Sequence, residues 1–484
     1  MDTESRLTRA ELLRRVAGAG AVVAVGGGYG VYRLLGDGAP TSSAAVPTVR
    51  GYTSRPDLRP PVVEVLHRAE RTAPGYLFIA PSSGPGQRGV LLLDDTGRVV
   101  WFHPTTPLTA MNFRAAVYQG KPVLTWWEGK FANGYGDGQC VIVDQSYREV
   151  ARFKGGNGRP ADLHEFFLTS RDTALITSGE KRTMDLTNLG GKRAWPVQGG
   201  VVQELEVPSA RVLFEWRSLD HVALAESHQK IGPTFDYFHI NSIDVDADGN
   251  LLVSARNTWA VYKVDRGSGK VIWRLGGKRS DFAMGAGTVF AWQHDARSHN
   301  GSRMISIFDD GAAPKVEPQS RAIVLGLDTK RMRATLLRKY THGLLAKHTG
   351  STQLLPNGDV LVGWGSEPYF TEYAADGSVR FDARLPHGGQ TYRALRFPWV
   401  GHPTEPPRLA SVGGMLYASW NGATEVASWR LRAGTAKSRI ADAQIVSRTA
   451  FETALSPPAG ARYTAAVALD AAGKPLGTSG TIRI

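Results

Sequence analysis

The sequence predicts an all-β protein: a six-bladed β-propeller followed by a small β-sandwich. Two observations carry this. Between Gly75 and Trp399 one pattern of β-rich run, Asp/Gly/Asn turn and second β-rich run returns six times, and after the proline-rich HPTEPPRLA a shorter series of alternating apolar positions begins. With 55 glycines and 21% charged residues, the chain reads as folded and turn-rich, built from short strands rather than long helices.

Residues 1–45 read as an export signal or N-terminal anchor with its linker. Basic RLTRAELLRR leads into the weakly apolar VAGAGAVVAVGGGYGVY, and Arg14-Arg15 resembles a twin-arginine signal without its usual flanking residues. The apolar run is short for a membrane span, so cleavage near Ser42, Ser43 and Ala44 is favoured; left uncleaved, the segment would contact or anchor to a membrane. Its glycines do not satisfy a dinucleotide fingerprint. The expected location is exported, either secreted or at the cell surface. Residues 46–74 form an N-terminal extension.

The propeller is assigned to 75–400. Its outer hairpins are LLLDDTGRVVWF, VIVDQSYREVARF, VQELEVPSARVLFEW, VYKVDRGSGKVIWRL, IVLGLDTKRMRATLLRKY and FTEYAADGSVRFDA, with turns near Asp95, Gln145, Pro208, Arg266, Thr329 and Asp376. That spacing, roughly 50 to 60 residues, suits four-stranded blades. Five inner segments lie between them: MNFRAAVYQGKPVLTW, LHEFFLTSRDTALIT, HINSIDVDADGNLLVSA, HDARSHNGSRMISIF and HTGSTQLLPNGDVLVGW. The first hairpin lacks an inner strand, and TYRALRFPW, left over after the last blade, is expected to supply it and close the ring. Residues 401–484 resemble an immunoglobulin/fibronectin III-like β-sandwich, with Trp420 and Tyr463 expected in its core.

A formal charge of +13 suits an anionic substrate or acidic surface, but no Lys/Arg run or recognition motif points to nucleic acid. One cysteine, Cys140, excludes an intrachain disulfide and any CxxC metal site. No GxxxxGK[ST] loop is present to cradle a nucleotide donor's phosphates.

A lone histidine at the start of a strand is ordinarily a hydrogen-bonded structural residue. Here His164, His239, His294 and His348 stand at equivalent places, and His239 and His348 each precede their turn glycine by ten positions (Gly249 and Gly358). Innermost propeller strands converge on one axial pocket, so four imidazoles would meet there, with Arg114 and Arg393 expected at the same level in the remaining blades. That makes an anion receptor. Trp126, Trp127, Trp259, Trp292 and Trp364 are candidates either to flank an aromatic ligand or to pack the blade cores.

FHINSIDVDADGNLLVSARNT, with His239, Asn241 and Arg256, and WQHDARSHNGSRMISIFDDG, with His294 before Phe-Asp-Asp-Gly, closely resemble arylsulfate sulfotransferases; LPNGDVLVGWGSEPYFTEYAADG and YRALRFPW are similar to the actinobacterial-type branch. The likeness spans about residues 75–400. It implies an exported propeller enzyme that moves a sulfuryl group between phenols through a sulfated histidine. By motif position His294 corresponds to the nucleophile, and His239, Asn241, Arg256 and His164 to residues around the sulfuryl group. Two features depart from the pattern: a disulfide present in some members has no counterpart here, and the His164-Glu165 context matches less closely.

The residues suit that chemistry. Neutral His294 offers a lone pair, Arg256 can hold two sulfonate oxygens, Asn241 can donate another hydrogen bond, and His239 or His164 can protonate the departing phenolate. His348, Arg114 and Arg393 are expected to help bind the anion, and Asp295 to favour protonation of His294. The implied partners are a small phenolic sulfate donor and a phenol acceptor, with no nucleic acid and no cofactor; a homodimer is left open. Competing readings are a zinc or copper site on the imidazoles, a non-catalytic propeller binding an anionic glycan or surface polymer, and another propeller enzyme such as a polysaccharide lyase or quinoprotein.

Overall fold

The computed structural model describes residues 47–484; the expected export segment lies outside the described residues. Six antiparallel sheets follow one another along the chain. Counted from their inner edges, the first is Gln390–Phe397, Tyr76–Ser83, Gly89–Leu93 and Val99–Pro104, and the second is Thr109–Tyr118, Lys121–Ala132, Tyr135–Val143 and Glu149–Phe153. The other four repeat the order, each beginning at its own inner strand: Phe166–Leu168, Ile240–Val245, His294–His299 and Ser351–Leu354. As the leftover segment led one to expect, Tyr76 pairs with Phe397 and Ile79 with Ala394, so the first sheet takes its inner strand from the far end of the repeat.

Side-chain alternation explains how the sheets pack. Along Tyr76–Ser83, Leu77 and Ile79 join Leu361, Phe370 and Phe381 of the sixth sheet, while Phe78 and Ala80 join Phe113, Leu124 and Trp126 of the second. Successive residues of a strand face opposite ways, so a strand buried on both faces reads as a near-continuous apolar run such as GVLLL, every residue of which is buried. Similar cores join the second sheet to the third, third to fourth, fourth to fifth and fifth to sixth, and the cycle closes on itself. Inner strands of neighbouring sheets also touch around the ring, except that Ile240–Val245 of the fourth sheet meets the second strand of the third, Thr173–Met184.

One feature of the extension was not anticipated. Glu64–Arg68 pairs with Val379–Arg384 as a fifth, outermost strand of the sixth sheet. Upstream of it, Ser54 binds Glu452 through its amide and its hydroxyl. Glu452 belongs to the C-terminal portion, which consists of two antiparallel sheets: Arg408–Val412, Met415–Ser419 and Glu452–Leu455 in one, and in the other Ser428–Ala436 and Tyr463–Leu469 side by side, with Arg439–Ser447 at the edge beyond Ser428–Ala436. The aromatic sealed between them is Trp429; Trp420 packs against the same core, as expected, while keeping part of its surface exposed, and the half-buried Tyr463 is not part of it.

Candidate active site

Five of the expected residues come together. His164, His239, His294, Arg256 and His348 line a cavity of about 400 Å³ at one end of the ring, with Met111, Phe131, Leu163 and Tyr392 forming its apolar wall. Phe131 is half exposed at its mouth. It is carried there by the hairpin of Lys121–Ala132 and Tyr135–Val143, whose Asn133-Gly134 tip has φ of 54° and 81°, the left-handed pair a tight two-residue turn requires.

Three of the imidazoles share one device. His164 Nδ1 meets Asp162, His239 Nδ1 lies 2.6 Å from Asp236 Oδ2, and His294 Nδ1 lies 2.7 Å from Asp310 Oδ2. A carboxylate at Nδ1 fixes the ring and favours the tautomer whose Nε2 is a free acceptor. The rings of His164 and His239 stand edge to face with centroids 4.7 Å apart. Tyr135 donates to Asp236 at 2.7 Å and packs against both rings.

Backbone geometry holds Arg256 beside His239. The amide of Arg256 donates to His239 O at 3.0 Å, and Asn257 N donates to Phe238 O at 3.0 Å, tying the 3-10 turn Arg256–Thr258 to the start of the inner strand. Left-handed residues, His239 at φ 59° and Trp259 at φ 54°, bound this arrangement and represent local strain. The guanidinium lies 4.7 Å over the Trp292 ring and donates from Nη1 to Asn257 Oδ1 at 2.9 Å.

His294 is held from behind. Gln293 Nε2 donates to Ser254 Oγ, Ala255 O and Ala260 O, and Gln293 O accepts from Asn241 Nδ2 at 2.5 Å. Asn241 is fully buried and is not among the residues lining the cavity; its amide clamps the chain before His294. Burial first, then Arg256 and the other three imidazoles, hold His294 well below the usual imidazole range. His239 and His348 are lowered in the same sense, chiefly by burial. Burial pushes Asp310 well up, with Arg256 opposing. The acid that faces His294 is thus Asp310, not Asp295, which pairs with Arg297 at 2.7 Å and Arg393 at 3.2 Å.

Arg114 and Arg393 are not at the histidine level. Arg393 is buried beneath it, bonded to Glu165, Asn112 Oδ1 and the carbonyls of His164 and Asn241. Arg114 lies 3.9 Å from Glu165 and lines a separate cavity on the far side of this buried ion cluster. At the cavity level its strand presents Met111, three residues earlier, and Arg393's strand presents Tyr392. None of the five tryptophans lines the cavity: Trp126, Trp127 and Trp364 sit in the cores between sheets, Trp292 supports Arg256, and Trp259 stacks on His228 with centroids 3.7 Å apart. Among the described residues no group of three His, Cys, Asp or Glu side chains is gathered to hold a metal ion.

Imidazoles backed by carboxylates, one guanidinium and an apolar wall make a site suited to an anionic ester with an apolar body. Residues 114–385 match the arylsulfotransferase (ASST) family, and the chain belongs to that family. No curated protein matches it. Similar solved structures include a protein of unknown function from Bacteroides caccae (11% identity over 66% of this chain and 98% of that one, TM-score 0.42), the periplasmic gluconolactonase of Pseudomonas aeruginosa (14%, 85% and 96%, 0.34) and virginiamycin B lyase from Staphylococcus aureus (8%, 74% and 96%, 0.33).

Proposed function

We propose that this protein transfers a sulfuryl group from a phenolic sulfate ester to an acceptor phenol through a sulfohistidine on His294, without a nucleotide donor. The observation that carries the reading is the His294–Asp310 pair: a buried imidazole whose Nδ1 faces a carboxylate, leaving Nε2 for the cavity that Arg256 also lines. Nε2 attacks sulfur in line as the bond from sulfur to the aryl oxygen breaks, and Arg256 holds the sulfonate oxygens. The departing phenolate takes a proton from the His164–His239 pair, which enters this half carrying one shared proton beyond those on the two Nδ1 atoms and leaves it with both Nε2 atoms free. In the second half the acceptor phenol returns a proton to that pair while its oxygen attacks sulfur and the N–S bond breaks. Met111, Leu163, Phe131 and Tyr392 give the aryl group an apolar bed.

The six sheets are read as the blades of a six-bladed propeller spanning 75–400, and residues 401–484 as an immunoglobulin-like sandwich. The basic-then-apolar N-terminus supports an exported protein. Colour release from a nitrophenyl sulfate, with and without added phenol, tests the activity. Donor alone should leave one sulfuryl mass on the His294 peptide. A label reproducibly found on another residue removes the nucleophile assignment, and no release with any aryl sulfate removes the function.

A further inference from the structure

Opposite the histidine cavity, across the buried ions, lies a second cavity of about 210 Å³ lined by Arg114, Arg297, Ser298, Thr352, Asp244 and Asp295 among others. Three guanidiniums crowd this plug, and two of them hydrogen-bond carboxylates directly, although Arg393 Nε, 3.2 Å from Asp295 Oδ1, makes no hydrogen bond of its own. Arg393 bonds both Glu165 oxygens, and Arg297 bonds Glu165, Asp295 Oδ1 and Ile243 O. Arg114 differs. Its Nη1 is sealed from solvent with no hydrogen-bond partner, and its contacts are Glu165 at 3.9 Å and the face of Phe167 at 5.3 Å. In the same cavity wall the hydroxyl of Thr352, a fully buried residue, is also without a partner.

Charge points the same way as geometry. Glu165 and Asp295 are each shared by Arg297 and Arg393, so two carboxylates face three guanidiniums. Asp244 lines the same cavity, and burial raises its carboxyl against the pull of Arg297. Arg114 is pulled down to about 10, by burial first and then by Arg297, with Arg393 adding to it. A buried cation with unmet donors is costly unless an acceptor is supplied.

We infer that this second cavity binds a small tetrahedral oxyanion, phosphate or sulfate, between the Arg114 guanidinium and the Thr352 hydroxyl. The guanidinium fork matches two oxygens and the hydroxyl a third, which a tetrahedral anion offers together and a halide does not. The ion supplies the acceptor that Arg114 Nη1 lacks and a partner for the Thr352 hydroxyl, and this site is independent of the sulfuryl chemistry proposed above.

The full-length protein titrated calorimetrically at low ionic strength, with phosphate in one arm and sulfate in the other, tests this. Arg114→Gln should weaken binding by about tenfold or more, Thr352→Val by about threefold, and Arg256→Gln, which alters the histidine cavity, should leave this site's affinity as it was. Crystals soaked in selenate should show an anomalous peak beside Arg114. The inference falls if the peak appears only at the histidines, if neither ion binds in the millimolar range, or if a folded Arg114→Gln or Thr352→Val protein binds as tightly as the parent. The relative response of the two arms says which ion the site prefers.

Discussion

His294 and Asp310 are joined at 2.7 Å between Nδ1 and Oδ2, and both side chains are sealed from solvent. The inner hairpin brings them together: His294 pairs with Phe308 across the strands, and Asp310 follows two residues on. As Nε2 bonds sulfur the ring gains positive charge, and a carboxylate at Nδ1 is the group that offsets it. Asp310→Asn loses that charge and can donate to Nδ1, which places the proton on the wrong nitrogen. Turnover should fall about 100-fold or more with KM little changed. Single-turnover labelling of the His294 peptide should slow by the same factor; an unslowed label would make Asp310 a packing residue.

Arg256→Lys should cost more than its conserved charge suggests. Lysine cannot make a planar two-oxygen contact, nor lie flat over Trp292 as the guanidinium does at 4.7 Å. The expected loss of transition-state stabilisation is about 2 to 3 kcal/mol, or roughly 30-fold to 150-fold in kcat/KM. Near-parental turnover would put Arg256 outside the sulfuryl contact.

Acid should act on activity and on stability through different buried imidazoles. His294 is held well below the ordinary value, so its lone pair survives below about pH 6.5 and the acid limb of kcat/KM should fall clearly under that pH. For stability the sign follows from proton counts. His228 and His299 are lowered to about 4, mainly by burial, so between about pH 6.5 and 4 the unfolded chain binds protons that the folded one refuses. Stability therefore falls as pH falls through that window. Asp309, pushed up to about 6, opposes this in part because it takes its proton while folded. Denaturant titrations from pH 7 to 5 should show midpoints moving down; a flat profile would contradict the assignment.

Much of the architecture was legible because burial on both faces writes itself into sequence as short continuous apolar runs, and because Tyr392 to Phe397 had no partner other than the first hairpin. The grouping of His164, His239, His294 and His348 followed from equivalent places in a repeat. Levels along the strands were harder. The pairing shifts between Met111 and Arg114, and an arginine three residues down its strand reaches the opposite cavity. Two of the carboxylate partners carried a local signal, Asp162 two residues before His164 and Asp236 three before His239. Asp310 did not: it is sixteen residues from His294, and hairpin register makes it a neighbour where adjacent Asp295 is turned away to Arg297 and Arg393.

Arg393, expected to hold the substrate, should prove to hold the protein. It is buried with Glu165, to which it gives hydrogen bonds of 2.8 and 3.1 Å, and it reaches Asn112, His164 O and Asn241 O from three different inner strands or their approaches. Burial alone would raise the Glu165 carboxyl, but Arg297, Arg393 and Arg114 override it and hold it at about 2. Arg393→Met removes one of these cations while leaving the carboxylate buried, which should cost about 3 kcal/mol of stability. The remaining Arg297 bond limits the loss. Adding Glu165→Gln should recover part of it, because the stranded charge is then gone, and the coupling between the two changes measures the pair. If instead the single variant melts like the parent and shows only a raised KM for the sulfate ester, Arg393 reaches the ligand after all and the division between the two cavities is not where the structure draws it.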